Sequence, residues 1–155
     1  MKNLILGFAL LAAAACAAAQ APLPYTLENT EVRDLRAPGL KRDYQVFVAL
    51  PDSYATSTRQ YPVVFVTDAN YAFPIVRNIS QRLTKHAGME EVIVVGLSYA
   101  KGDTGVYSRR RDYTPSVPRK HDYRSDMPGR PVALGEAPAY ARYIADQVFP
   151  LIAKH

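Results

Sequence analysis

The stretch "YPVVFVTDANYAFPIVRNISQRLTKHAGMEEVIVVGLSY" (Tyr61–Tyr99) decides the fold of this chain. It contains two continuous apolar runs, Tyr61–Thr67 and Glu91–Leu97, which are typical of strands covered on both faces. Between them, Tyr71–Lys85 predicts a helix with one apolar face. That face comprises Phe73, Val76, Ile79 and Leu83. Strand, helix and strand in this order predict a right-handed βαβ unit with two parallel strands.

The flanking sequence predicts a hairpin upstream and a second helix downstream. Thr30–Leu35 and Asp43–Leu50 alternate in polarity or are β-branched and aromatic, and the turn "APGLK" between them predicts an antiparallel pair. Glu136–Lys154 predicts an amphipathic helix with a kink near Pro150. Ser98–Leu134 has few apolar residues, which predicts a long loop of functional or disordered type. The predicted fold class is therefore α/β.

The N-terminus has the layout of a secretory signal peptide. Lys2 precedes an apolar centre, Leu4–Leu11, and Ala17–Ala19 forms a small-residue cleavage site. We therefore expect residues 1–19 to direct export to the periplasm or medium, followed by an extended leader (20–29) and the domain (30–155). A buried N-terminal helix and lipoprotein processing at Cys16 are the alternatives. Cys16 is the only cysteine, so the mature chain is expected to lack disulfides and cysteine-type zinc sites.

The charge of the chain is mildly basic, with 19 Lys plus Arg against 14 Asp plus Glu and a formal net charge of +5. Much of the excess lies in "YSRRRDYTPSVPRKHDYR", residues 107–124. This patch favours an anionic ligand, a solvated surface loop or single-stranded nucleic acid. Export argues against nucleic acid, and several acidic residues dilute the patch. Neither a membrane span, a metal ion nor a cofactor is predicted.

Ser98 lies in "GLSYA", which differs at its fifth position from the G-x-S-x-G nucleophile elbow. An elbow needs a helix directly after its serine, whereas "YAKGDTGVYS" follows with two glycines and no helical period. We therefore expect Ser98 to be a strand-end serine capped by local hydrogen bonds. His86, His121 and His155 are expected to be surface residues, so no catalytic residue is assigned.

The order of these features resembles the N-terminal half of the α/β-hydrolase "putative esterase" family, which includes esterase D-like enzymes and bacterial trilactone-siderophore hydrolases. The resemblance covers Glu31–His155, and its most specific parts are "TDAN" after the first apolar strand and "RDYTP" in the basic loop. It implies a partial α/β-hydrolase domain, comprising an antiparallel hairpin, a parallel βαβ unit and a C-terminal helix. It also implies that Glu91–Leu97 inserts between Asp43–Leu50 and Pro62–Thr67, which would leave "VVFV" on an open edge where copies could self-associate.

In relatives, the nucleophile elbow, acid and histidine follow the equivalent of Leu151–His155. The resemblance therefore predicts the N-terminal portion of an exported serine-type carboxylic ester hydrolase, truncated and inactive as it stands. Its partner would be a small-molecule ester, with an anionic acyl or catecholate group as one option. The alternative is a non-catalytic exported module that binds a ligand through the Arg/Tyr loop.

The resemblance also implies site residues. The backbone of Asp68, Ala69 and Asn70 would form the oxyanion-hole loop, although Ala69 stands where glycine is common in relatives. An equally open interpretation, compatible with the first, is that Asp68 or Asn70 caps the helix. The expected substrate-binding residues are Tyr71, Tyr107, Arg110, Arg111 and Tyr113.

Overall fold

A computed structural model describes residues 22–120 and 122–154. The expected signal peptide, including Cys16, lies outside the described residues, as do His121 and His155. The described part of the chain contains one mixed sheet of four strands, with helices on both faces.

The strands are β1 (Thr30–Ala37), β2 (Arg42–Ala49), β3 (Val63–Val66) and β4 (Ile93–Leu97). Their order in the sheet is β1-β2-β4-β3. The hairpin β1–β2 is antiparallel, β2 pairs antiparallel with β4, and β3 pairs parallel with β4. This arrangement confirms the predicted hairpin, the parallel βαβ unit and the insertion of β4 between β2 and β3.

The first helix, α1 (Ala69–Ala87), extends the predicted helix by two residues at each end. Gly88 ends it with a φ of 70°, in the left-handed region that glycine adopts without strain. Gly96 of β4 lets α1 approach closely, because a Cβ there would lie 2.8 Å from the Ala69 Cβ. The predicted apolar face is only half correct. Phe73 is buried and Val76 packs on the core, whereas Ile79 and Leu83 are 53% and 40% exposed.

A second helix, α2 (Gly105–Asp112), lies within the segment predicted to be a loop. Its sequence "GVYSRRRD" has no apolar stripe, which is why the periodicity did not indicate it. The Thr104 side chain caps its first turn by accepting the N–H of Tyr107 at 3.1 Å. The helix is therefore specified by its cap and by charge pairing rather than by apolar spacing.

The C-terminal helical segment consists of α3 (Ala137–Tyr143), a π-helical turn (Ile144–Val148) and α4 (Phe149–Ile152). The predicted irregularity near Pro150 takes the form of this π-helical turn, which precedes the proline. A proline ring clashes with the carbonyl four residues earlier, and proline has no N–H to donate to it. The helical hydrogen bonds before Pro150 therefore join residues five apart instead of four.

The core has one cluster on each side of the sheet. On one side, the C-terminal helical segment packs on β2 and β4, and the cluster includes Tyr44, Val46, Val95, Tyr140, Tyr143 and Val148. On the other side, α1 packs through Ala69 and Phe73 against Ala49 and Val94. Every residue of β4 is thus buried, as its unbroken apolar sequence predicted. The same prediction is wrong for β3, which lies at the edge of the sheet with Val64 37% and Phe65 38% exposed.

Candidate functional site

The candidate site lies at the carboxyl ends of β3 and β4, where α1 begins. Asp68 occupies the N-cap position of α1 with a φ of 56°, and its carbonyl accepts the N–H groups of Tyr71 and Ala72 at 3.1 and 3.0 Å. The N–H groups of Ala69 and Asn70 precede these bonds, so they have no acceptor within the helix. The left-handed angle falls on Asp68 rather than Ala69, so alanine fits this loop where glycine is common in relatives.

The helix-capping interpretation is correct for the position of Asp68 but not for its side chain, which makes no capping hydrogen bond. Asn70 does not cap the helix either. Its Oδ1 accepts the N–H of Tyr99 at 3.0 Å, which fastens the start of α1 to the chain leaving β4.

The Asp68 carboxylate is instead the centre of a polar cluster. Tyr71 donates its hydroxyl to Oδ2 at 3.4 Å, and Arg109 Nε lies 3.3 Å from Oδ1. Burial, followed by a hydrogen bond to the Asp68 carboxylate, raises the pKa of the Tyr99 hydroxyl to about 12. Burial also raises the pKa of Tyr113, although its hydroxyl receives a hydrogen bond from the Asp68 backbone. Three phenol groups and one guanidinium therefore surround Asp68, a residue that is 8% exposed.

Ser98 is held by the backbone on both sides. Its Oγ accepts the N–H of Gln45 and donates to the carbonyl of Tyr99, both at 2.7 Å. It is 3% exposed, and the next helix does not begin until Gly105. The only histidine among the described residues, His86, lies in the last turn of α1, at the opposite end of that helix from Asp68. The predicted local hydrogen bonding of Ser98 is confirmed.

The three arginines of α2, Arg109–Arg111 (the arginine triplet), have different partners. Arg111 is 3% exposed and pairs with Asp103 at 2.6 Å and Asp112 at 2.8 Å. Arg110 donates to the Arg124 carbonyl at 2.9 Å and lies over the Tyr123 ring. Only Arg109 faces Asp68.

Asp112 extends the buried network of Arg111 into the hairpin. Tyr44 donates its hydroxyl to Asp112 Oδ2 at 2.9 Å, and Arg42 lies 3.5 Å from Oδ1. Burial, and then the charge of Asp112, raises the pKa of Tyr44. These buried ion pairs and hydrogen bonds join α2 to β2, so the network fixes the position of the helix that carries Arg109.

The structure thus separates the residues expected at the site into two groups. Asp68, Ala69, Asn70, Tyr71 and Tyr113 lie together. Tyr107 is 7% exposed, donates its hydroxyl to the Pro131 carbonyl at 3.0 Å and belongs with Arg111 to the buried framework, while Arg110 turns toward the following loop.

The sequence interpretation missed Tyr99, and from the three arginines Arg109–Arg111 it assigned Arg110 and Arg111 to the site instead of Arg109. Tyr99 could have been found, because it follows β4 at the edge of the sheet where α/β folds bind ligands. Arg109 could not be distinguished from its two neighbours while α2 was read as a loop.

Comparisons with known proteins identify the family of this chain. The family model described as "Putative esterase" matches residues 37–155, which include the whole candidate site. The chain belongs to this family. It is 29% identical over 132 residues to the ferri-bacillibactin esterase BesA of Bacillus subtilis (strain 168), covering 83% of this chain and 45% of BesA.

Solved structures show the same fold. The BES protein from Bacillus cereus matches with a TM-score of 0.68 and 25% identity, over 86% of this chain and 51% of that protein. An IroE-like serine hydrolase from Shewanella oneidensis matches with a TM-score of 0.65 and 26% identity, over 81% of this chain and 38% of that protein. The chain therefore spans about half or less of the length of these relatives, and the described part is a portion of an α/β-hydrolase fold. Between residues 22 and 154, no described helix is both long and apolar enough to span a membrane.

Proposed function

We propose that this chain provides the ester-binding and oxyanion-stabilising part of a carboxylic ester hydrolase that acts on siderophore esters. The observation that carries the proposal is the start of α1 directly after β3, where the N–H of the exposed Asn70 precedes the first intrahelical bond. The N–H of Ala69 also precedes this bond, but Ala69 is fully buried. The substrate class follows from BesA, whose name describes an esterase of a ferric siderophore.

The chemistry of ester hydrolysis suits this loop. Attack on an ester carbonyl places negative charge on its oxygen, and N–H groups at a helix start stabilise that charge. Removing one such donor typically costs about 2.7–4 kcal/mol of transition-state stabilisation. Asn70 supports the role because its side chain is tied to the Tyr99 backbone, which fixes the loop before the substrate arrives.

We also propose that the 155 residues alone bind an ester without hydrolysing it. Serine hydrolases use a serine whose hydroxyl is hydrogen-bonded to a histidine. The Ser98 hydroxyl is engaged by two backbone groups, and the described His86 lies at the far end of α1. These positions support binding without turnover.

The test measures binding and turnover on the same purified chain. Binding of ferri-bacillibactin is followed by equilibrium dialysis, and hydrolysis by p-nitrophenol release from p-nitrophenyl butyrate. We expect saturable binding, no turnover above the buffer rate, and weaker binding in Asn70→Ala. The matched control is Asn78→Ala, on an exposed position of the same helix. Equal affinities for the two variants would contradict the assigned loop, and turnover lost in Ser98→Ala would contradict the absence of a nucleophile.

A non-catalytic module that binds through the Arg/Tyr loop is the second candidate function. It is favoured by the exposed cations Arg119, Lys120 and Arg124, which follow α2. Such a module would lose its ligand in an Arg119→Ala, Lys120→Ala double variant and would be insensitive to Asn70→Ala. The same dialysis experiment therefore distinguishes the two functions.

We further propose export, supported by the signal-like layout of the first 19 residues. Expression in a Gram-negative host followed by mass spectrometry of the mature N-terminus tests it. A periplasmic product that begins at Gln20 supports ordinary cleavage, whereas a lipid-modified Cys16 would indicate a lipoprotein. An uncleaved cytoplasmic product would contradict export.

A further inference from the structure

Arg109 is the member of the arginine triplet that lies against the proposed oxyanion loop. Its Nε is 3.3 Å from Asp68 Oδ1, and its side chain is 56% exposed whereas that of Asp68 is 12% exposed. Arg111 is enclosed by two carboxylates, and Arg110 is turned toward the Arg124 carbonyl. Within the triplet, Arg109 is therefore the cation presented to a ligand at this edge of the sheet.

The contact between Arg109 and Asp68 is loose. Oδ1 of Asp68 is enclosed, yet it accepts no hydrogen bond from the described residues, so the 3.3 Å approach of Arg109 is an ion pair without an aligned N–H. Because the Arg109 side chain is more than half exposed, solvent screens the pair and its contribution to stability is small. The planar guanidinium carries five N–H donors, so it can bind an oxyanion in bidentate fashion while remaining beside Asp68.

We propose that Arg109 binds an oxyanion of the ligand and that Asp68 sets how much negative charge this site accepts. The inference rests on the proposed function, because it places the anionic part of the ligand beside the ester. The matching ligand chemistry is a pair of neighbouring anionic oxygens, as in a catecholate or a carboxylate. Arg109 attracts this group and the Asp68 carboxylate repels it, so the pair selects ligands by their charge.

The charge role of Asp68 can be isolated by Asp68→Asn. Asparagine tolerates the left-handed φ of 56° at this position. The Asp68 side chain makes no capping bond with α1, so its replacement leaves the start of the helix intact. The variant therefore removes one negative charge with little change in shape.

The experiment measures dissociation constants by equilibrium dialysis of the full chain at low salt. The probes are ferri-bacillibactin, the less negatively charged metal-free bacillibactin, and 2,3-dihydroxybenzoate, which carries a free carboxylate. We expect Arg109→Ala to weaken ferri-bacillibactin binding by roughly tenfold to a hundredfold, the usual range for one charge-assisted hydrogen bond. Arg109→Lys should recover part of the loss, and Asp68→Asn should tighten binding about threefold because a repelling charge is gone. Arg142→Ala, an exposed arginine on α3, is the control and should bind like the parent chain.

The outcomes separate this inference from the proposed function. Stronger Arg109 dependence for ferri-bacillibactin than for the metal-free form supports a catecholate contact, and dependence with 2,3-dihydroxybenzoate alone supports a carboxylate contact. The inference would be overturned by an unchanged affinity of Arg109→Ala, by an equal loss of affinity in Arg110→Ala, or by weaker binding in Asp68→Asn. If Asn70→Ala weakens binding but Arg109→Ala does not, only the inference fails. If the parent chain binds none of the probes, both fail.

Discussion

The Oγ of Ser98 lies 2.7 Å from the backbone nitrogen of Gln45 and accepts its N–H. The bond joins the end of β4 to β2, and a second bond from the same hydroxyl to the Tyr99 carbonyl fixes the exit of the chain from the sheet. Ser98 therefore links two strands next to the candidate site, in a sequence that resembles a nucleophile elbow.

Ser98→Ala should lower the free energy of unfolding by about 1–3 kcal/mol, because it leaves the partly buried Gln45 N–H without its acceptor. Urea unfolding measures this loss, and Ser116→Ala, at an exposed position, should stay within about 0.5 kcal/mol of the parent. Treatment with diisopropyl fluorophosphate should leave the mass of the chain unchanged. A phosphorylated Ser98 peptide would instead identify a nucleophile.

Arg111→Ala should be far more destabilising than Arg110→Ala. Removing Arg111 takes the fully buried cation from the carboxylates of Asp103 and Asp112, each 2% exposed. Among the described residues, only the more exposed Arg130 and Arg42 then remain as their cationic partners. Such a loss typically costs about 3–5 kcal/mol. Arg110 has a carbonyl and an exposed ring as neighbours, so its removal should cost about 0.5 kcal/mol or less. Equal unfolding midpoints in urea for the two variants would show that the buried network does not hold α2.

The positions of these arginines show which features of the structure the sequence predicts and which it does not. The apolar runs predicted two strands covered on both faces, because such covering leaves a continuous apolar signal. Both strands are present, but only Ile93–Leu97 is buried, since Val63–Val66 lies at the edge of the sheet. The position of β4 between β2 and β3 could be predicted only from the family resemblance, because hydrophobic periodicity does not encode strand order. The helix α2 was missed because charge pairing stabilises it. The direction of each arginine depends on that helix, so the sequence could not separate Arg109 from Arg111.

The tyrosines predict how stability depends on pH. Burial raises the pKa of Tyr44, Tyr140 and Tyr143, and burial with the Asp68 contact raises the pKa of Tyr99 to about 12. In the unfolded chain, tyrosine ionises near pH 10. The unfolded state therefore loses protons first, and the stability from these groups is complete below about pH 10 and is lost as pH rises toward 12 and above.

Alkaline titration checks this dependence. The tyrosinate absorbance of these four of the 11 tyrosines should appear together with the change in far-ultraviolet circular dichroism, in one cooperative step above pH 10. Ionisation of every tyrosine near pH 10 with an unchanged dichroism spectrum would contradict the burial of these four side chains.

The two edge strands predict where copies of the chain associate. The β1 edge carries the charged residues Glu31, Arg33, Asp34 and Arg36, whereas "VVFV" in β3 carries none, and Val64 and Phe65 are 37% and 38% exposed. In the described part of the chain, β3 pairs only with β4. Charged side chains on an edge strand oppose pairing with another copy, and an uncharged apolar edge permits it.

We therefore expect the chain to self-associate and to bind a hydrophobic dye, with Val64→Lys reducing both. Val32→Lys, on the 57% exposed Val32 of β1, adds the same charge at the opposite edge and should have little effect. Light scattering after size-exclusion chromatography gives the mass of each variant. A monomeric parent chain without dye binding would contradict the open edge.

The most direct measurement of the central claim is the amide spectrum of the ¹⁵N-labelled chain during titration with the gallium complex of bacillibactin, which is diamagnetic. If the start of α1 binds the ester, the amide signals of Ala69 and Asn70 should shift most, together with that of Tyr99, whose N–H is held by Asn70. Unshifted amides at Ala69 and Asn70, with shifts confined to the loop that carries Arg119 and Lys120, would contradict the assignment of this loop as the ester-binding site.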